Sequence, residues 1–111
     1  MIEKTVLDYL DDALQVPVYM EVPENPPKEY IVIEKTSGGV RNHIYNATLA
    51  IQSVSESLYL AAGINEQVKA AMEVIADKTE ISKCDLNSDY NFTDTSTKKY
   101  RYQAVFDLVH Y

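Results

Sequence analysis

A chain of 111 residues, 46% apolar and 24% charged, has the size and composition of one core-bearing domain and excludes extensive disorder. Its 17 Asp plus Glu against 10 Lys plus Arg give a formal charge of −7, which repels nucleic acid and anionic membrane rather than gathering them. Cys84 stands alone, the opening Met1-Ile2-Glu3-Lys4-Thr5 lacks the order of a signal peptide, and the apolar run Leu58 to Ile64 is too short to span a bilayer, so a soluble intracellular chain, or one released without a secretory signal, is expected, with no internal disulfide.

The chain reads as a single α+β domain over residues 1–111, divided by breaker clusters and free of internal repeats. Residues 2–15 carry Ile2, Val6, Leu10, Ala13 and Leu14 at helical spacing, with Glu3, Lys4, Asp8, Asp11 and Asp12 on the other face. Pro17 ends this helix because its ring removes a donor and disfavours helical geometry just before it. Val16 to Val22 reads as a short strand, Pro23, Pro26 and Pro27 as an extended turn, and Tyr30-Ile31-Val32-Ile33 as the next strand. Ser37-Gly38-Gly39 tolerates positive φ and predicts a hairpin reversal there. From about Asn42 to Val54, Tyr45, Ala47, Leu49 and Ile51 alternate with Asn46, Thr48 and Gln52, the period of a strand with one buried face.

Ser53-Val54-Ser55-Glu56 fits a capping box, and the helix that follows to about Asp77 turns Ile64, Val68, Ala71, Met72 and Ile75 inward. Gly63 weakens its first turns, so the regular helix is expected after that residue. The last third predicts a long hairpin. Setting residue 91 against residue 101 places Leu86 opposite Phe106, Tyr90 opposite Tyr102 and Phe92 opposite Tyr100, at the cost of setting Asp85 against Asp107. The expected architecture is an antiparallel β-sheet with two helices packed on one face, in the order α-β-β-β-α-β-β.

No catalytic, cofactor or metal constellation emerges from the residues. Asp85-Leu86-Asn87-Ser88-Asp89 begins like a calcium loop, but Tyr90 stands at the glycine turn and Ser96 at the bidentate Glu position. His43 and His110 lack a second ligand at metal spacing. Cys84 has no Cys-His motif around it and reads as a small buried hydrophobe. The sequons at Asn46 and Asn91 and the P-x-x-P match at Pro23 to Pro26 are read as incidental. Arg41, Lys98, Lys99 and Arg101 could form a basic patch, better explained by pairing with carboxylates within the chain or at a subunit contact than by nucleic acid.

Nine tyrosines and no tryptophan suit interfaces that stay soluble before assembly, and equally the filling of a β-rich core. The polar segment from Asp85 to Phe92 fits an edge strand, where another subunit can add hydrogen bonds.

The pattern Val16-Pro17-Val18-Tyr19, then Pro26-Pro27-Lys28-Glu29-Tyr30-Ile31-Val32-Ile33, then the alternating strand Tyr45 to Ser53, a helix and a closing two-stranded segment, resembles the tail-terminator (tail-completion) proteins of long-tailed bacteriophages. The resemblance implies an antiparallel sheet flanked by helices and a hexameric homo-oligomeric ring. Such a ring caps the finished tail tube, stops addition of the major tail-tube protein and presents a surface to the head-tail connector. It implies no enzyme activity, no cofactor, no membrane and no sequence-specific nucleic acid, and places the protein in the virion tail, or in the host cytoplasm during assembly. Subunit contacts are expected at the loop Ser37 to Asn42 and the hairpin Asp85 to Arg101, with Arg41, Asp85, Asp89, Tyr90, Tyr100 and Arg101 as candidate interface residues. Another phage morphogenesis role (head-completion factor or tail-tube subunit) and a small enzyme with an inter-subunit site remain open alternatives.

Overall fold

The apolar stripe of the N-terminal segment forms helix α1 (Ile2–Ala13), which buries Ile2, Val6 and Leu10. In this computed structural model, which describes residues 1–97 and 99–111, the chain continues through β1 (Val18–Tyr19), β2 (Tyr30–Arg41), β3 (Ile44–Ser55), α2 (Leu58–Glu73), α3 (Ile75–Lys78), β4 (Ile81–Asn91) and β5 (Tyr100–His110). The five strands make one sheet in the order β1-β2-β3-β5-β4. The fold is α+β, with the expected order of elements and a one-turn helix added after α2. One core cluster joins Ile2, Val6 and Leu10 of α1, Ile64, Val68 and Met72 of α2, and the odd-numbered residues Ile31, Ile33, Ala47, Leu49 and Ile51 of β2 and β3. Both long helices therefore pack on the same face of the sheet. Tyr9 ties them together, its hydroxyl donating to the Ala71 carbonyl at 2.6 Å; burial raises its pKa, with the nearby Cys84 contributing less.

The sheet is mixed rather than wholly antiparallel, because β1 runs parallel to β2 through Val18↔Ile31 and Tyr19↔Val32. The reason lies in the prolines. Pro17 and Pro23 remove donors on either side of β1, which shrinks to two residues, and residues 20–29 form the long crossover that parallel pairing requires. Tyr19 meets Tyr30 edge-on at 6.3 Å between ring centres. With Val32 and Val54 they make a small second cluster on the face away from the helices.

The reversal between β2 and β3 falls at Asn42 and His43 (φ 52° and 65°), not at Ser37-Gly38-Gly39. A two-residue loop with both φ positive has the twist that matches paired strands, and Asn tolerates it best after Gly. The two glycines instead lie inside β2. A Cβ on Gly38 would come within 2.7 Å of the Lys35 side chain, and a register shift lies between Lys35 and Ser37.

Helix α2 is capped by Ser57, whose hydroxyl accepts from the Leu60 amide at 3.1 Å. Ser53 and Glu56 do not form the expected box. Ser53 is the partner of Ile31 in the β2–β3 ladder and is fully buried, so the strand claims it first. Gly63 therefore sits inside the helix, with open space where a Cβ would be. Gly63→Ala is expected to stabilise the chain by about 0.5–1 kcal/mol, seen as a melting temperature higher by a few degrees. An unchanged or lower value would show that the glycine serves the local backbone.

In the β4–β5 hairpin, Asp85↔Asp107 and Leu86↔Phe106 pair as expected, but a register shift between Leu86 and Ser88 displaces all that follows. Tyr90 opposes Gln103 and Asn91 opposes Tyr102; the expected Tyr90–Tyr102 pair does not form. A bulge adds one residue to one strand and turns every later side chain to the other face. Tyr90 thus joins the face away from the helices, where Gln103 donates to its hydroxyl and Gln52 donates to Gln103 at 3.0 Å. None of the helices among the described residues is long and apolar enough to cross a membrane.

Candidate self-assembly surfaces

Backbone hydrogen-bonding groups left bare along a strand are binding sites for another strand, and this sheet has two such edges. Strand β1 covers β2 only at Ile31 and Val32, so β2 is unpaired on that side from Ile33 to Arg41. At the far side, β4 pairs only with β5. From Glu34 to Asn46 every residue is exposed, which makes the end of the β2–β3 hairpin an arm rather than a core element. Val40 is 60% and Ile44 45% exposed, and they flank the turn. Val40 opposes Tyr45 and Arg41 opposes Ile44, so each face of the tip offers apolar surface and one adds a guanidinium. Tyr45 stacks on His110 at 5.6 Å, which ties the β3 side of the tip to β5.

At the opposite edge, an open groove of about 480 Å³ runs between α2 and β4. Met72, Cys84, Leu86 and Phe106 supply its apolar lining, and Glu66, Lys69, Glu73 and Asp85 its polar one. Leu86 is 46% exposed there. Lys69 reaches Glu66 at 2.7 Å and Asp89 at 3.4 Å. Its pKa is raised, chiefly by the hydrogen bond to Glu66 and against an opposing effect of burial. Burial pushes the Cys84 thiol up to about 11, with Asp85 and Asp107 adding to it. A thiol so protonated is a poor nucleophile, consistent with the reading of Cys84 as a packing residue.

The candidate interface residues fall in different places. Arg41 is at the arm tip. Asp85 lines the groove and pairs with Lys83 at 3.4 Å. Asp89 turns toward α2, where Asn65 and Lys69 hold its carboxylate. Tyr90, Phe92 and Arg101 form a cluster at the end of the β4–β5 hairpin. Arg101 Nε donates to the Phe92 carbonyl at 3.0 Å, and its guanidinium lies 4.9 Å from the Phe92 ring centre. Tyr100 stands opposite Ser55, on the helix side of the sheet. The structure thus separates Arg41 from the rest and gives Asp89 and Arg101 partners within the chain. In the basic patch, Lys99 meets Asp94 through a backbone β-bridge, its carbonyl accepting from the Asp94 amide at 3.2 Å, and Lys98 lies outside the described residues.

The opposed carboxylates Asp85 and Asp107 are reconciled locally. Thr48 Oγ1 donates to Asp107 at 2.8 Å and Asn87 Nδ2 at 2.9 Å. These two bonds, that from Asn87 being the larger influence, hold Asp107 below the ordinary 3.8. A group whose pKa is lower folded than unfolded contributes stability above its unfolded value and loses it as pH falls through the folded one. Melting temperatures measured from pH 5 down to pH 2 should therefore fall less steeply for Asp107→Asn than for the unaltered chain. Parallel curves would contradict the assignment.

The tyrosines divide between the two roles the sequence left open. Tyr30 is buried, Tyr9 and Tyr19 are half-buried, and Tyr45, Tyr59, Tyr90 and Tyr111 are exposed. Two features were not read from the sequence: the α2–β4 groove and the position of the arm tip. The tip had a usable signal, because Asn42-His43 is the only Asn-led pair between the two apolar runs. Among the described residues no group of three or more His, Cys, Asp or Glu is placed to hold a metal ion. Comparison with known protein families and with curated proteins finds no match.

Proposed function

We propose that this protein is a ring-forming assembly factor of a phage or prophage tail, a terminator that caps the tail tube and joins it to the head connector. The observation that carries the reading is a pair of unlike exposed edges on opposite sides of one sheet: the bare β2 edge with its exposed arm, and the bare β4 edge with its groove. Unlike patches at opposite ends of a subunit favour head-to-tail contacts, which close into rings when the rotation permits. The resemblance to tail terminators in the Val16–Tyr19 and Pro26–Ile33 segments, and the order of elements, support the same role. A formal charge of −7 suits a channel through which DNA passes without adhering. In this reading the protein acts by shape and subunit contacts and not by catalysis, within the virion tail.

The test is to add the purified chain to polymerising tail-tube subunits and image the products in negative stain. Tubes of arrested length with a ring at one end only would agree with the proposal. Tubes of unchanged length with bare ends, or the chain distributed along them, would refute it.

A further inference from the structure

We infer that the tip of the β2–β3 arm of one copy docks in the α2–β4 groove of the next. This deepens the assembly reading above and rests on it for the number of copies that join. The tip is narrow, closed by two residues, and apolar on both faces through Val40, Tyr45 and Ile44. The groove offers Leu86, which is exposed, with Ala70 and the half-buried Cys84 as apolar surface, over a floor of buried Met72 and Phe106. Burying such area on both partners is favourable in proportion to its extent. Charge selects the pairing. From Lys35 to Ser55 the sequence holds no Asp or Glu, so in a strongly acidic chain the arm carries net positive charge, through Lys35 and Arg41. The groove sets Glu66 and Glu73 beside Lys69, which Glu66 and Asp89 already engage. Glu73 has no ion-pair partner among the described residues. Arg41, brought to this rim, gains carboxylates, and complementary potential of this kind fixes partner and orientation. The occupant has to come from another molecule, because the arm and the groove wall belong to one sheet with β5 between β3 and β4.

The test uses the full chain with Cys84→Ser and two added thiols, Val40→Cys on the tip and Leu86→Cys in the groove, both at exposed positions. Under mild oxidation a denaturing gel should show a ladder of two, three and more linked chains, while either thiol alone gives no ladder. Arg41→Glu should lower the linked fraction about tenfold, and Glu73→Arg added to it should restore the fraction. Circular dichroism and melting temperature confirm that each variant is folded. A folded double-thiol chain that stays unlinked, or an effect of Arg41→Glu that Glu73→Arg does not reverse, would overturn the inference. A ladder that stops at two chains would uphold the tip-in-groove contact and count against the ring. Oligomers that persist in the native chain without linkage in the double-thiol chain would do the reverse.

Discussion

Ile51→Ala is expected to cost about 2–5 kcal/mol, a large fraction of the roughly 5–15 kcal/mol that holds a domain of this size together. Ile51 is fully buried in β3, the strand with β2 on one side and β5 on the other. It stands between Ile33 and Ala104 across the two ladders and belongs to the cluster that joins both helices to the sheet. Truncation removes dispersion contacts in three directions and leaves a cavity that paired strands cannot collapse to fill. In urea titration the midpoint should fall with little change in slope. Leu86→Ala, at an exposed position on the edge strand, should move the midpoint far less. A cost below about 1 kcal/mol for Ile51→Ala would contradict the packing described.

The second large effect concerns assembly rather than folding. Val40→Ser together with Ile44→Ser should weaken self-association by about 2 kcal/mol or more, roughly thirtyfold in dissociation constant. The melting temperature of the dilute chain should change by no more than a few degrees. Both residues lie exposed on the arm and outside the core cluster, so their removal takes little from the core. An association constant unchanged by the double variant would exclude the arm as a contact surface.

What the sequence disclosed, and what it hid, follows from the range of the forces involved. Helix α1 and strand β3 were legible because their apolar residues repeat at the period of the element, although β3 also buries Ala50 and Val54 on its other face. The pairing of Leu86 with Phe106 was legible for the same reason. The parallel course of β1 was hidden, since two residues carry no periodicity and the direction of a strand depends on how a proline-rich crossover returns. The bulge after Leu86 was hidden too. It preserves a polar alternation on either side, and its effect shows only in the folded contacts, Tyr90 meeting Gln103 and Asp89 meeting Asn65 and Lys69. Ser53 matched a helix cap locally and lost to the ladder that buries it. The groove was invisible because Met72, Leu86 and Phe106 meet only after three elements have folded together. Arg41, Asp89 and Arg101 were all read from the sequence as candidate interface residues, and the partners within the chain that hold Asp89 and Arg101 are ones that sequence spacing does not show.

The most direct measurement of the central claim is sedimentation of the unaltered chain over a wide range of concentration, beside the Val40→Ser/Ile44→Ser variant. Docking through unlike surfaces that closes into a ring predicts one discrete oligomer, of fixed copy number, that forms from the 12.6 kDa chain as concentration rises and recedes to the monomer in the variant. A native chain that remains a monomer at every concentration, or two proteins that sediment alike, would contradict it.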